Sequence, residues 1–217
     1  MRRYNQFKSL VYPVQKMMSL EILRRKFTVR EYHLMAEAGV FADGDRVELV
    51  NGEIINMSPV GTRHAACVKQ LNRRLSRIPE ERAIVGIQDP IQLSDGSEPQ
   101  PDVVLLKFRE DYYETAHPTP SDILLLIEVS DSTIEYDRTV KLPLYAKAGI
   151  REVWIVNLME DCIEIYRQPT ADGYEFVQTA LGGQTISPLA FPEFEIDVKG
   201  MFPKSDRTHP QPLPRGE

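Results

Sequence analysis

Apolar positions recur along this chain with two periods, near 3.6 and near 2, and the order in which the periods alternate predicts an α/β protein. Phe27 to Gly39 reads as a first helix: Tyr32, Leu34, Met35 and Ala38 have helical spacing, and Gly39 fits the stop. Thr28 and Glu31 have the spacing of a capping box. Arg46 to Asn56 reads as a β-hairpin around Asn51-Gly52, the pair a type I′ turn favours because both central residues need positive φ. Glu48 is then expected on the strand face opposite Val47 and Leu49. Thr62 to Ile78 is an amphipathic helix, with Val68, Leu71, Leu75 and Ile78 on one stripe and Arg63, Lys69, Arg73, Arg74 and Arg77 opposite. That basic face reads as solvated surface, with phosphate contact as the alternative.

Further along, Ala83 to Leu93 shows strand-like alternation, Asp95-Gly96 marks a turn, and Pro101-Asp102 leads into a short strand over Val103 to Leu106. Lys107 to Ser121 reads as a surface loop. Asp122 to Ser130 is the most strand-like run, and its unbroken Ile/Leu/Val content predicts a central strand buried on both faces. A helix ending at Gly149 follows. Proline is tolerated only in a first turn, so Pro143 places the helix start near Thr139, with Lys141 in that turn. Strands are expected over Glu152 to Asn157, Cys162 to Arg167 and Tyr174 to Ala180. The expected architecture is a mixed central β-sheet flanked by helices, with an N-terminal helix and β-hairpin. The expected organisation is an extension over residues 1–25, one domain over 26–203, and a charged, Pro-rich, disordered tail over 204–217.

Composition changes this picture little. The chain has 217 residues, 42% hydrophobic and 27% charged, enough to bury a core without disulfides or structural metal. No apolar run approaches the roughly 20 residues of a membrane span; the longest, Ile123 to Val129, is interrupted by Glu128. The start carries Arg2 and Arg3 but no signal-peptide pattern, and Met17-Met18 offers a second start. Cys67 and Cys162, far apart, read as reduced buried thiols, so a cytoplasmic location is expected. A net charge of −6 argues against coating nucleic acid by global charge, but it leaves room for a metal-dependent nuclease, in which the ion supplies local positive charge.

Candidate chemistry rests on Asp102, Glu128 and Lys141. A carboxylate within an apolar strand is costly unless it is paired or binds a cation, so Glu128 is either an ion-pair partner or a ligand. Two carboxylates from adjacent strands would make an oxygen-rich site suited to Mg²⁺ or Mn²⁺. Such an ion activates water against a phosphodiester, and a nearby lysine can position or deprotonate that water or stabilise developing charge. His64 reads as a cap or packing residue. Tyr145 reads as packing, one turn after Lys141, and Trp154 as core or a dimer-face aromatic.

Pro101-Asp102 followed a strand later by Glu128-Val129-Ser130 resembles the PD-(D/E)XK nuclease superfamily. Several segments are similar to the Uma-two family of restriction-endonuclease-like proteins. They are the run Val47 to Glu53, Pro101 to Val104, Ile127 to Thr133, Lys141 with Tyr145, and Ala148 to Trp154. The resemblance implies a restriction-endonuclease-like core and metal-dependent phosphodiester hydrolysis, with DNA as the expected substrate. It implies that Asp102 and Glu128 bind metal, that the Val129 carbonyl is a further ligand, and that Glu48 is an additional site acid. Ser130 stands where the superfamily lysine belongs, and Lys141 is the substitute the family pattern implies. A nuclease-fold protein that only binds nucleic acid, and a hydrolase of small phosphodiesters, remain as alternatives. Oligomeric state is open, with a symmetric dimer favoured if a one-site domain cuts both strands.

Overall fold

The run Ile123–Ser130 forms β5, the strand that organises the molecule, with nearly every residue buried. In this computed structural model, which describes residues 24–202, it lies inside a six-stranded mixed sheet. The other strands are β3 (Ala83–Ile87), β4 (Val103–Lys107), β6 (Glu152–Asn157), β7 (Cys162–Thr170) and β8 (Gly173–Leu181). They lie in chain order, β3-β4-β5-β6-β7-β8, and only β5 and β6 are parallel. A parallel pair needs a crossover, and the helical segment after β5 supplies it.

Alternation divides the buried side chains between the two faces. Val103, Leu105, Leu125, Ile127, Val129, Trp154 and Val156 form one core with Cys67, Val68, Leu71 and Leu75 of helix α2 (Thr62–Leu75). Val104, Leu106, Leu126, Val153 and Ile155 face the other way, with Tyr145 and Ile150. Trp154 is fully buried in the first core, its indole N–H donating to Glu152 at 3.0 Å, which settles it as a core residue. Both cysteines are free and buried. Within α2 the basic face is only partly solvated: Arg63 binds the Leu158 carbonyl and Asp161, and Arg74 binds the Gly200 carbonyl, leaving Lys69, Arg73 and Arg77 exposed.

Two smaller elements precede α2. Helix α1 (Val29–Glu37) carries the expected capping box, Thr28 with Glu31. Strands β1 (Val47–Val50) and β2 (Glu53–Asn56) form the hairpin, with Asn51 at φ 49° and Gly52 at φ 75°. The hairpin stands apart from the main sheet. It is held by reciprocal backbone bonds between Leu49 and Glu98, by Gly52 N–H to the Gly96 carbonyl, and by Phe27 N–H to the Gly52 carbonyl.

The structure departs from sequence expectation in two places. Regular pairing after Ala83 ends at Ile87, because Gln88 turns to φ 56° and Pro90 has no N–H to donate. Residues Ile91 and Leu93 instead bond back to Pro99 and Ser97. The helix expected near Thr139 starts earlier, as a short turn α3 (Ile134–Tyr136), continues through a π-helical turn over Asp137–Lys141, and ends as α4 (Leu142–Lys147). The wide turn, in which Leu142 N–H reaches the Asp137 carbonyl, accommodates Pro143 without breaking the helix. Glu48 points away from Leu49, and that side of the hairpin is buried as well. The expectations for residues 1–23 and for the tail from Lys204 lie outside the described residues.

Candidate active site

Antiparallel pairing of β4 with β5 sets Val103 opposite Ile127, which brings Asp102, just before β4, level with Glu128 and Val129. Asp102 is almost fully enclosed. Its Oδ2 accepts the Val129 N–H at 2.8 Å and His64 Nε2–H at 3.0 Å, and its Oδ1 accepts Gln88 Nε2–H at 3.0 Å. Burial alone would raise its pKa, but the bonds from His64, Val129 and Gln88 outweigh it and hold the carboxyl below its ordinary value. Burial depresses the His64 pKa, yet the bond and charge of Asp102 leave it raised.

Glu128 lies on the α4 side of the sheet. Its Oε1 accepts the Tyr145 hydroxyl and lies 3.2 Å from Lys141 Nζ. The same ammonium is 3.2 Å from Oε2 of Glu48, which also accepts the Gln100 N–H at 3.1 Å. One turn before Lys141, Asp137 accepts the hydroxyls of Ser130 at 2.7 Å and Thr133 at 2.9 Å. Ser130, where the superfamily pattern has lysine, thus ties the end of β5 to the helix that delivers Lys141. The four residues singled out from sequence, Glu48, Asp102, Glu128 and Lys141, all line one cleft of about 540 Å³, with Val129, His64, Gln88 and Gln100.

The electrostatics of this cleft are unbalanced. Five acids line it (Glu48, Asp102, Glu128, Asp131 and Asp137) against two permanent cations, Arg46 and Lys141. Burial pulls the Lys141 pKa down, but Glu128, Glu48 and Asp137 together outweigh it, and the amine stays an ammonium. Burial pushes Glu128 up to about 8, only partly offset by Lys141, and burial likewise raises Asp137. Burial, more than the surrounding acids, is what favours the protonated form of Glu128. Lys141 is thus a buried ammonium set between two carboxylates.

The donor set fits a divalent cation. Among the described residues, Asp102 Oδ1 accepts one hydrogen bond and keeps a lone pair available. Glu128 Oε2 has no donor among the described residues, and a cation would replace the proton the carboxyl otherwise retains. Mg²⁺ is commonly held by one or two carboxylates plus waters. Among the described residues, no three carboxylate or imidazole donors of the cleft converge within 4.8 Å, so the cleft matches that sparse, hydrated mode and not a closed cage.

Sequence reasoning undervalued His64, Tyr145 and Asp137. His64 and Tyr145 were visible as polar groups beside the motifs, but a packing histidine and one that orients a carboxylate have the same spacing. Gln88 gives no sequence signal, since its role depends on the φ reversal at the end of β3.

A six-stranded mixed sheet with helices on both faces, carrying an acid at the start of β4 and another near the end of β5, defines a restriction-endonuclease-like α/β protein. The family model described as "Uma2: Putative restriction endonuclease" matches residues 29–199, and the chain belongs to that family. It is also similar to a solved structure from Anabaena variabilis, described as a putative nuclease belonging to DUF820. The TM-score is 0.60 at 17% identity, over 73% of this chain and 90% of that one. No protein with a curated description is significantly similar in sequence.

Proposed function

We propose that this chain is a divalent-metal-dependent endonuclease that hydrolyses phosphodiester bonds in DNA. The supporting observation is the convergence of Asp102, Glu128, Glu48 and Lys141 on one cleft whose acids outnumber its permanent cations. An anionic phosphodiester would be repelled by such a cleft on its own. Asp102 and Glu128, with the Val129 carbonyl, are the groups that would hold Mg²⁺ or Mn²⁺. Bound there, the ion would neutralise the phosphoryl oxygens and lower the pKa of water.

The chain's own residues supply the rest. Val129 N–H, His64 and Gln88 fix the rotamer of Asp102 and keep it ionised at neutral pH. Tyr145 fixes Glu128, and its hydroxyl remains protonated because burial and the neighbouring acids raise its pKa. Lys141 is held by Glu48 at the cleft wall and offers N–H donors to negative charge developing on the phosphoryl group, a contribution typically worth about 10²–10³-fold in rate.

Metal-dependent nicking of supercoiled plasmid tests this reading. Wild type should cut with Mg²⁺ or Mn²⁺ and not with chelator, while Asp102→Asn and Glu128→Gln should lose both cutting and calorimetric Mn²⁺ binding. A folded wild-type protein that binds Mn²⁺ yet leaves DNA intact would instead support a protein that binds nucleic acid without cutting it.

A further inference from the structure

Outside the cleft, three side chains from separate parts of the chain converge. His33 lies on α1, Glu98 on the segment paired with Leu49, and His117 on the loop between β4 and β5. One ligand atom from each lies within 4.8 Å of both others. His33 Nε2 is 2.7 Å from Glu98 Oε1, and the two imidazole rings stand edge-on with centroids 6.2 Å apart.

An ordinary histidine–carboxylate pair does not account for this group. Glu98 is 3% exposed, and its second oxygen, Oε2, is buried with no hydrogen-bond partner among the described residues. Leaving a buried carboxylate oxygen bare is costly, and native structures seldom do it without a ligand to compensate. The backbone around it is anchored: Glu98 N–H and C=O both bond Leu49, and the Pro118 carbonyl beside His117 accepts the Gln92 N–H at 2.9 Å. His33 and His117 reach solvent, so an ion can enter from outside.

The geometry points to a second metal site, in which His33, His117 and Glu98 bind Zn²⁺ or a like ion such as Co²⁺. Two imidazoles and one carboxylate are the donor set of such ions, and three protein ligands leave a position open for water. Tetrahedral bonds of about 2.0–2.1 Å require donors roughly 3.4 Å apart, so side-chain rotation of about an ångström at the exposed imidazoles closes the site. The donors differ in kind from the all-oxygen set of the cleft, so the two sites should sort their metals: Mg²⁺ to the cleft, Zn²⁺ here. The bound ion would clamp α1 and the β4–β5 loop to the segment that holds the hairpin.

The test is Zn²⁺ calorimetry on the intact chain in excess Mg²⁺, with Co²⁺ absorption as a report of coordination. Wild type should bind one equivalent, gain thermal stability with Zn²⁺, and give visible Co²⁺ bands. His117→Ala, at an exposed position, should fold normally, lose at least about tenfold in Zn²⁺ affinity and lose the bands. Glu98→Gln should do the same, and Asp102→Asn should bind Zn²⁺ as wild type does. No stoichiometric Zn²⁺ binding by wild type, or unchanged binding by folded His117→Ala, would overturn the site. Neither result bears on DNA cleavage by the cleft.

Discussion

Replacing Lys141 with methionine probes the balance of charge in the cleft most directly. The ammonium lies 3.2 Å from both Glu48 and Glu128, and the three side chains are nearly inaccessible to solvent. Removing one partner of a buried ion pair costs about 3–5 kcal/mol, because the charge left behind is neither solvated nor compensated. Glu48 and Glu128 both lose their partner, but Glu128 escapes the cost: its pKa is already pushed up to about 8 by burial, and losing Lys141 raises it further. It would remain protonated at neutral pH and leave Glu48 as the uncompensated group. The loss should therefore fall at the lower end, about 3 kcal/mol, or roughly 6–12 °C in Tm for a chain of this size. Differential scanning calorimetry in chelator would measure it. Adding Mn²⁺ should recover more Tm in the variant than in wild type, since the ion then meets two acids without a competing ammonium. DNA nicking should stay at least about a hundredfold slow even when metal restores stability. A Tm within a degree of wild type in chelator would show that the ammonium does not neutralise these acids, and the account of the cleft would fail.

Other expectations can be checked independently. Gly52→Ala places a β-carbon at φ 75°, only 2.7 Å from Lys26 Cβ; it should cost about 1–2 kcal/mol, read as a Tm fall of roughly 2–8 °C. Burial raises the Glu164 pKa, but bonds from Arg138 and Tyr166 outweigh it and leave the pKa lowered. Its contribution to stability is thus present above the unfolded value of about 4.3 and is lost as pH falls through the folded value. The Tm difference between wild type and Glu164→Gln should accordingly be largest near neutral pH and shrink in acid. Burial pushes the Cys67 thiol up to about 12, so a thiol reagent should label it only after denaturation; rapid labelling in native buffer would contradict the packing of α2.

Much of the fold could be read from short-range pattern because burial and turn chemistry agree there. The capping box at Thr28, the Asn51-Gly52 turn and the apolar run of β5 each state a local preference that tertiary structure keeps. Asp102 and Glu128 stood out because acids beside or within apolar strands conflict with local preference, a mark of chemistry. What could not be read was long-range. For Glu48, alternation gives a side of the strand but not what lies beyond it. Pro143 looked like a first-turn proline because a widened turn that accommodates it has no local signature. The partners of Asp102, namely His64 on α2 and Gln88 after β3, come from elements whose meeting only the sheet determines.

The widened turn over Asp137–Lys141 carries one residue more than a regular helix would use. At its start Asp137 is fastened to Ser130 and Thr133; at its end Lys141 is fastened to Glu48 and Glu128. Deleting a single residue between them, such as Thr139, would restore ordinary helical bonding yet rotate one anchorage about 100° against the other. The chain could then keep its grip on the end of β5 or its ammonium in the cleft, but not both. A tidier helix is therefore the wrong target for anyone hoping to make this protein sturdier.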